Sequence, residues 1–172
     1  MQPVSSDTFG PLVAYLAPGA TVLLGVSLFS PLVRSWFTAV PDGAPTIGGF
    51  LFLTVASIAV GMTVSAVRWL IVDTLHGWTG LPLPRLNFSR LDKNVAAFSL
   101  LIDIHYLHYL HYSNMEIATA FTYGCYRVKF LETGFGWLDV AFVIIEAVFF
   151  AASRNTLKRY YVRSQQLLSV KD

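Results

Sequence analysis

The chain is poor in charge and in cysteine, and both shortages exclude whole classes of protein. Charged residues make up 13% of its 172 residues, where a soluble domain carries about 25%. The missing charge leaves long apolar runs and a mean hydropathy of +0.57, which point to a bilayer rather than to water. Cys125 is the single cysteine, so an intrachain disulfide and a Cys-rich metal site are excluded. The net charge of +2 is too small to argue for nucleic acid as a partner. No Lys or Arg precedes the first apolar run, and that run exceeds a signal-peptide core. It is therefore expected to be retained as a first span. Enzyme signatures are also lacking: there is no Gly-rich phosphate loop, no G-x-S-x-G and no H-E-x-x-H. Asp103, His105 and Ser113 have triad residue types, but helical spacing sends them in different directions. No catalytic residue and no cofactor is expected.

What is present reads as an all-α polytopic membrane protein, one domain of four transmembrane helices. The spans fall near residues 12–33, 47–72, 106–126 and 137–153. Pro18-Gly19 lies inside the first and predicts a kink or a broken turn. Trp36 sits where an interfacial aromatic would. Residues 40–45 read as a tight polar turn. On the second span Ser57, Gly61 and Ser65 recur every four residues, a stripe of small side chains that lets another backbone approach. Residues 76–87 read as a loop, with Trp78 dipping toward the headgroups and His76 simply solvated.

Ser89 and Asp92 fit a capping box. From there a helical pattern runs to Tyr123 without Gly or Pro, roughly 50 Å of helix against a hydrocarbon core about 30 Å thick. The polar residues at its start predict that residues 89–105 protrude. Residues 154–170 should protrude likewise from the last helix. Leu91, Val95, Phe98 and Ile102 are spaced as a narrow seam. Leu157, Tyr161, Ser164 and Leu168 repeat that spacing. With the connecting turn centred near Leu131, the two seams would meet as a stalk, a possible docking point for a cytoplasmic protein partner. The competing reading lays the basic tail on anionic headgroups.

Lys and Arg set the expected orientation. Arg154, Lys158, Arg159, Arg163 and Lys171 follow the last span, and Arg85, Arg90 and Lys93 lie between the second and third. Arg34, Arg127 and Lys129 lie opposite, eight against three. The bias places both termini in the cytoplasm of a cell with the chain in its inner membrane.

One stretch invites chemistry. Residues 104–116 interleave His105, His108 and His111 with Tyr106, Tyr109 and Tyr112, and end at Glu116. At about 100° per residue the apolar stripe continues through His105, Tyr109, Tyr112 and Glu116, flanked by His108. Glu146 is expected near the level of residues 112–116, and Asp139 near residues 119–123. Ionisable groups at membrane depth face a bundle interior or water. Three readings follow: a hydrogen-bonded packing network, a polar pathway in a homo-oligomer, or a metal or haem site on His105 and His108. The carboxylate-x-x-His pattern of di-iron bundles is absent.

Tyr15-Leu-Ala-Pro-Gly19, the stretch from Ser30 to Trp36, Gly48-Gly-Phe-Leu-Phe52, Arg68-Trp69, His76-Gly-Trp-Thr-Gly80 and the stretch from His105 to Asn114 resemble a family of small, uncharacterised bacterial membrane proteins. Its pattern is similar to His105, Tyr106, Tyr109, Tyr112 and Asn114, with other residue types usual at His108 and His111. That departure weakens an H-x-x-H metal site. The resemblance implies no established activity. By analogy with small membrane effectors of bacterial defence, the expected function is a non-enzymatic oligomer that perturbs or gates the bilayer. The alternative is a small redox or metal-binding subunit using His105 and His108.

Overall fold

The computed structural model describes residues 6–38, 47–130, 132 and 134–168. The turn expected at residues 40–45, its proposed counterpart at Leu131 and the charge of Lys171 lie outside them. All regular structure among the described residues is helical: α1 (Ser6–Ser27), α2 (Pro31–Phe37), α3 (Ile47–Trp78), α4 (Val95–Leu101), α5 (Leu107–Lys129) and α6 (Trp137–Leu168). Two helices, α3 and α6, are long and apolar enough to cross a membrane.

Cross-helix bonds fix the directions. Ala14 and Thr21 of α1 meet Asn114 and Thr122 of α5, so these two run parallel. Thr119 and Tyr123 of α5 meet Glu146 and Asp139 of α6 in reverse order, so that pair is antiparallel. Gly19 and Gly61 place α3 antiparallel to α1. The start of α1 and the end of α6 therefore lie at one end of the bundle.

Bulk and polarity are arranged inside out. Helix α5 buries Tyr109, Leu110, Ser113, Asn114 and Ala118 among α1, α3 and α6. Outward, α3 exposes Phe50, Leu51, Phe52, Val55, Met62 and Leu70, and α6 exposes Val143, Ile144, Ile145 and Val148. A soluble protein buries such helices. Here only 17% and 11% of their most apolar windows are buried.

Several expected elements fold otherwise. Helix α1, where the first span was expected to reach residue 33, ends at Ser27, because Ser30 caps a new helix by accepting from Val33 N–H at 3.3 Å, with Pro31 at the first position. Arg34 turns back to donate to the carbonyls of Ser27 and Leu28 at 3.1 and 3.2 Å, which satisfies the orphan acceptors at the end of α1. Helix α1 is unbroken at Pro18 and Gly19. Helix α3 continues past residue 72 to Trp78.

The long helix expected from Ser89 is instead a 3₁₀ turn (Phe88–Lys93), then α4, then a π turn (Ile102–Tyr106) leading into α5. Asn87, not a Ser89–Asp92 box, forms the cap: its side chain accepts from Ser89 N–H at 3.1 Å and from Ser89 Oγ at 2.7 Å. Asn94 donates to the Arg90 carbonyl at 3.1 Å. Such local side-chain bonds compete with the α ladder. The π turn adds to this by shifting the helical phase, so a stripe extrapolated at 100° per residue loses register. Val95 is 58% exposed while Leu157 and Leu168 are buried. Leu91, Phe98, Ile102 and Tyr161 are half-buried. Phe98 meets Tyr160, ring centroids 6.4 Å apart. Asn87 N–H donates to the Leu168 carbonyl at 3.1 Å, so the loop before the 3₁₀ turn closes the end of α6.

Candidate functional site: a polar interior and a cleft at one end

The helices are held by two devices. Small residues bring α1 and α3 together: a Cβ on Gly61 would lie 2.0 Å from the Tyr15 carbonyl oxygen, and one on Gly19 1.7 Å from that of Ser57. Ser57 is buried and Ser65 half-buried. Gly19 answers Gly61 across the interface; in the sequence it was masked by the adjacent Pro18, which drew attention to bending instead of packing.

The second device is polar. Asn114 Nδ2 donates to the Ala14 carbonyl at 3.1 Å, and Thr122 Oγ1 to the Thr21 carbonyl at 2.7 Å. Helix α5 thus binds the backbone of α1 along its length. Against α6, Tyr123 donates to Asp139, and their helices also stack Tyr123 on Phe142 at 3.8 Å. Asp139 accepts from Gly136 N–H at 2.6 Å and pairs with Arg127 at 3.4 Å. It is the third residue of α6, where a carboxylate completes the helix start.

The seam residues separate. His105 and Tyr109 are buried; Tyr112, Glu116 and Glu146 are half-buried; His108 is exposed. His105 and His108 therefore do not face one space, and no group of three or more His, Cys, Asp or Glu suited to a metal converges among the described residues. Thr119 Oγ1 donates to Glu146 Oε1 at 2.5 Å. The buried Oε2 of Glu116 has no hydrogen-bond partner among the described residues. Glu146 thus meets α5 one turn beyond the expected level, while Asp139 meets Tyr123 within its expected range. Beside them a groove of about 270 Å³ opens between α1, α5 and α6, with Thr119 and Thr122 on its wall.

A second polar cluster had no strong sequence signal. Arg68, 5% exposed, donates to Asp73 Oδ1 at 3.0 Å. Its guanidinium carbon lies 5.2 Å from the centre of the Tyr109 ring, and Tyr109 donates its hydroxyl proton to the same Asp73 oxygen. His76 is not a solvated loop residue. It lies on α3, fully buried, with Nε2 3.1 Å from Ser153 Oγ and its ring 5.1 Å from that of Phe150. Helix α3 runs one and a half turns past its expected end, and this carries His76 against α6. Arg154 then donates to the carbonyl of Thr79 at 2.6 Å, holding the loop that follows. In front of Arg68 and Asp73 lies a cleft of about 390 Å³. The contact of Asp73 with Tyr109 spans 36 positions and needs the packed bundle.

No family model, curated protein or solved structure matches the chain. His105 is buried, Tyr106 lines the cleft, Tyr109 bonds Asp73, Tyr112 is half-buried and Asn114 bonds α1.

Proposed function

We propose that this chain is a non-enzymatic, four-span membrane protein that gates or perturbs the bilayer as a homo-oligomer, with both termini in the cytoplasm. One observation carries the reading: α5 buries Tyr109, Ser113 and Asn114 against its neighbours, while α3 and α6 turn apolar side chains outward. Lipid stabilises such an exterior, whereas water does not. In lipid, carboxyl groups midway along α5 and α6 need partners or a path for water and ions. Glu116 has an unpartnered buried oxygen, and Glu146 is held by Thr119.

Orientation follows from charge. The bundle end that holds the cleft carries Arg85, Arg90, Arg154, Lys158, Arg159 and Arg163, and the other end Arg34, Arg127 and Lys129, which puts the cleft end on the cytoplasmic side.

The test pairs stability with flux. Glu116→Gln keeps hydrogen bonding and loses the charge. It should leave the thermal midpoint in detergent unchanged and alter ion flux through reconstituted liposomes. Glu116→Leu should in addition destabilise by about 1–2 kcal/mol. Folded variants with wild-type flux would overturn the gating role and leave Glu116 a packing residue.

A further inference from the structure

The cleft at the cytoplasmic end is built for a ligand of mixed charge. Its inner wall is the Arg68–Asp73 pair with Tyr109; Tyr106, Tyr160 and Tyr161 surround them, and Leu83, Leu86 and Phe88 form its rim. The volume of about 390 Å³ lies in the range of small-molecule sites.

Three features select the ligand. First, the pair is incompletely used. Arg68 spends one terminal nitrogen on Asp73, while its buried Nε–H finds no partner among the described residues. A guanidinium N–H left without a partner beside the cleft donates to a phosphate or carboxylate oxygen. Second, both bonds to Asp73 fall on Oδ1, so the second carboxylate oxygen keeps its acceptor capacity. A carboxylate oxygen with spare acceptor capacity, in a cleft that Tyr106, Tyr160 and Tyr161 also line, suits an ammonium group. Third, the rim is apolar and turned outward: Leu83 is 81% and Phe88 61% exposed. A free polar metabolite gains nothing from such a rim, whereas an acyl chain does.

We propose that this cleft binds the head of a zwitterionic phospholipid, its phosphate on Arg68, its ammonium on Asp73 and the tyrosine rings, and its glycerol-acyl part along Leu83, Leu86 and Phe88. A purely anionic lipid would leave Asp73 facing a like charge, which disfavours it. The site rests on the chain being lipid-embedded and is independent of whether it conducts.

The experiment is native mass spectrometry of the full chain, purified in detergent and supplied with an equimolar mixture of dioleoyl phosphatidylethanolamine and dioleoyl phosphatidylglycerol. The wild type should retain one phosphatidylethanolamine in preference. Asp73→Asn removes the negative partner while keeping an acceptor for Tyr109, and should shift the preference toward phosphatidylglycerol by about tenfold. Leu83→Glu changes only an exposed rim residue, so the bundle stays folded, and it should abolish retention. Equal retention of both lipids by the wild type, or retention untouched by Leu83→Glu, would overturn the site. So would inorganic phosphate raising the thermal midpoint as much as the lipid does, since the apolar rim would then contribute nothing. Loss of lipid preference with flux intact would remove this site and leave the gating reading standing.

Discussion

Asn114 donates through Nδ2 to the carbonyl oxygen of Ala14, 3.1 Å away and wholly buried. Ala14 stands four residues before Pro18, which has no N–H to give back to it. The proline removes one rung of the α1 ladder, and a side chain from α5 replaces it. Lipid offers no substitute donor, so a neighbouring helix has to supply one.

This relation makes a double-mutant cycle informative. Asn114→Ala in the native background should lower stability in detergent by about 1 kcal/mol. With Pro18→Ala the backbone N–H is restored and Ala14 has its own donor. The same Asn114→Ala change should then cost measurably less. Equal penalties in both backgrounds would mean that the asparagine is not compensating for the proline.

Gly19 and Gly61 should tolerate no side chain. A Cβ at either runs into backbone of the facing helix, which cannot swing aside. Gly61→Leu and even Gly19→Ala should cost about 1–3 kcal/mol or more, read as a drop in thermal midpoint. Gly124→Ala is the control, because nothing lies within 4 Å of its added methyl. Wild-type stability for Gly19→Ala would show that α1 and α3 do not pack at this crossing.

Sidedness can be read directly. Reporter fusions at residue 172 and within residues 40–45 should report opposite faces of the membrane, the first cytoplasmic. Reporters on the same side would break the four-span reading.

His105 gives a pH dependence. Burial, then the charges of Arg163 and Arg159, hold its imidazole below the ordinary 6.5. The folded chain resists a proton that the unfolded chain accepts near pH 6.5. The stability His105 contributes is therefore present above that value and is lost as pH falls through it toward the folded pKa. Thermal midpoints between about pH 8 and about pH 5 should decline, and His105→Gln should flatten part of the slope. An identical slope in that variant would show that His105 does not titrate in this window.

Residue type and spacing alone determined the helical class, the close approach at Ser57 and Gly61, and the adjacency of the last two long helices. These follow from local periodicity, turn residues and hydropathy, quantities a chain carries before it folds. The meeting of Asp139 with Tyr123 was legible for the same reason: a short connection between antiparallel helices converts sequence distance into depth. Local side-chain bonds at Asn87 and Asn94 delay the helix expected from Ser89 until Val95, and the π turn at Ile102–Tyr106, inside that continuous helix, shifts the phase that a straight extrapolation needs. Tertiary packing alone decided the partners of polar groups. His76 looked like loop solvent until α3 ran on and Ser153 met it, and Arg68, Asp73 and Tyr109 became one site only when α3 and α5 docked. A buried polar atom takes whichever partner the bundle brings within 3 Å or so, and that partner is set by how helices distant in sequence cross.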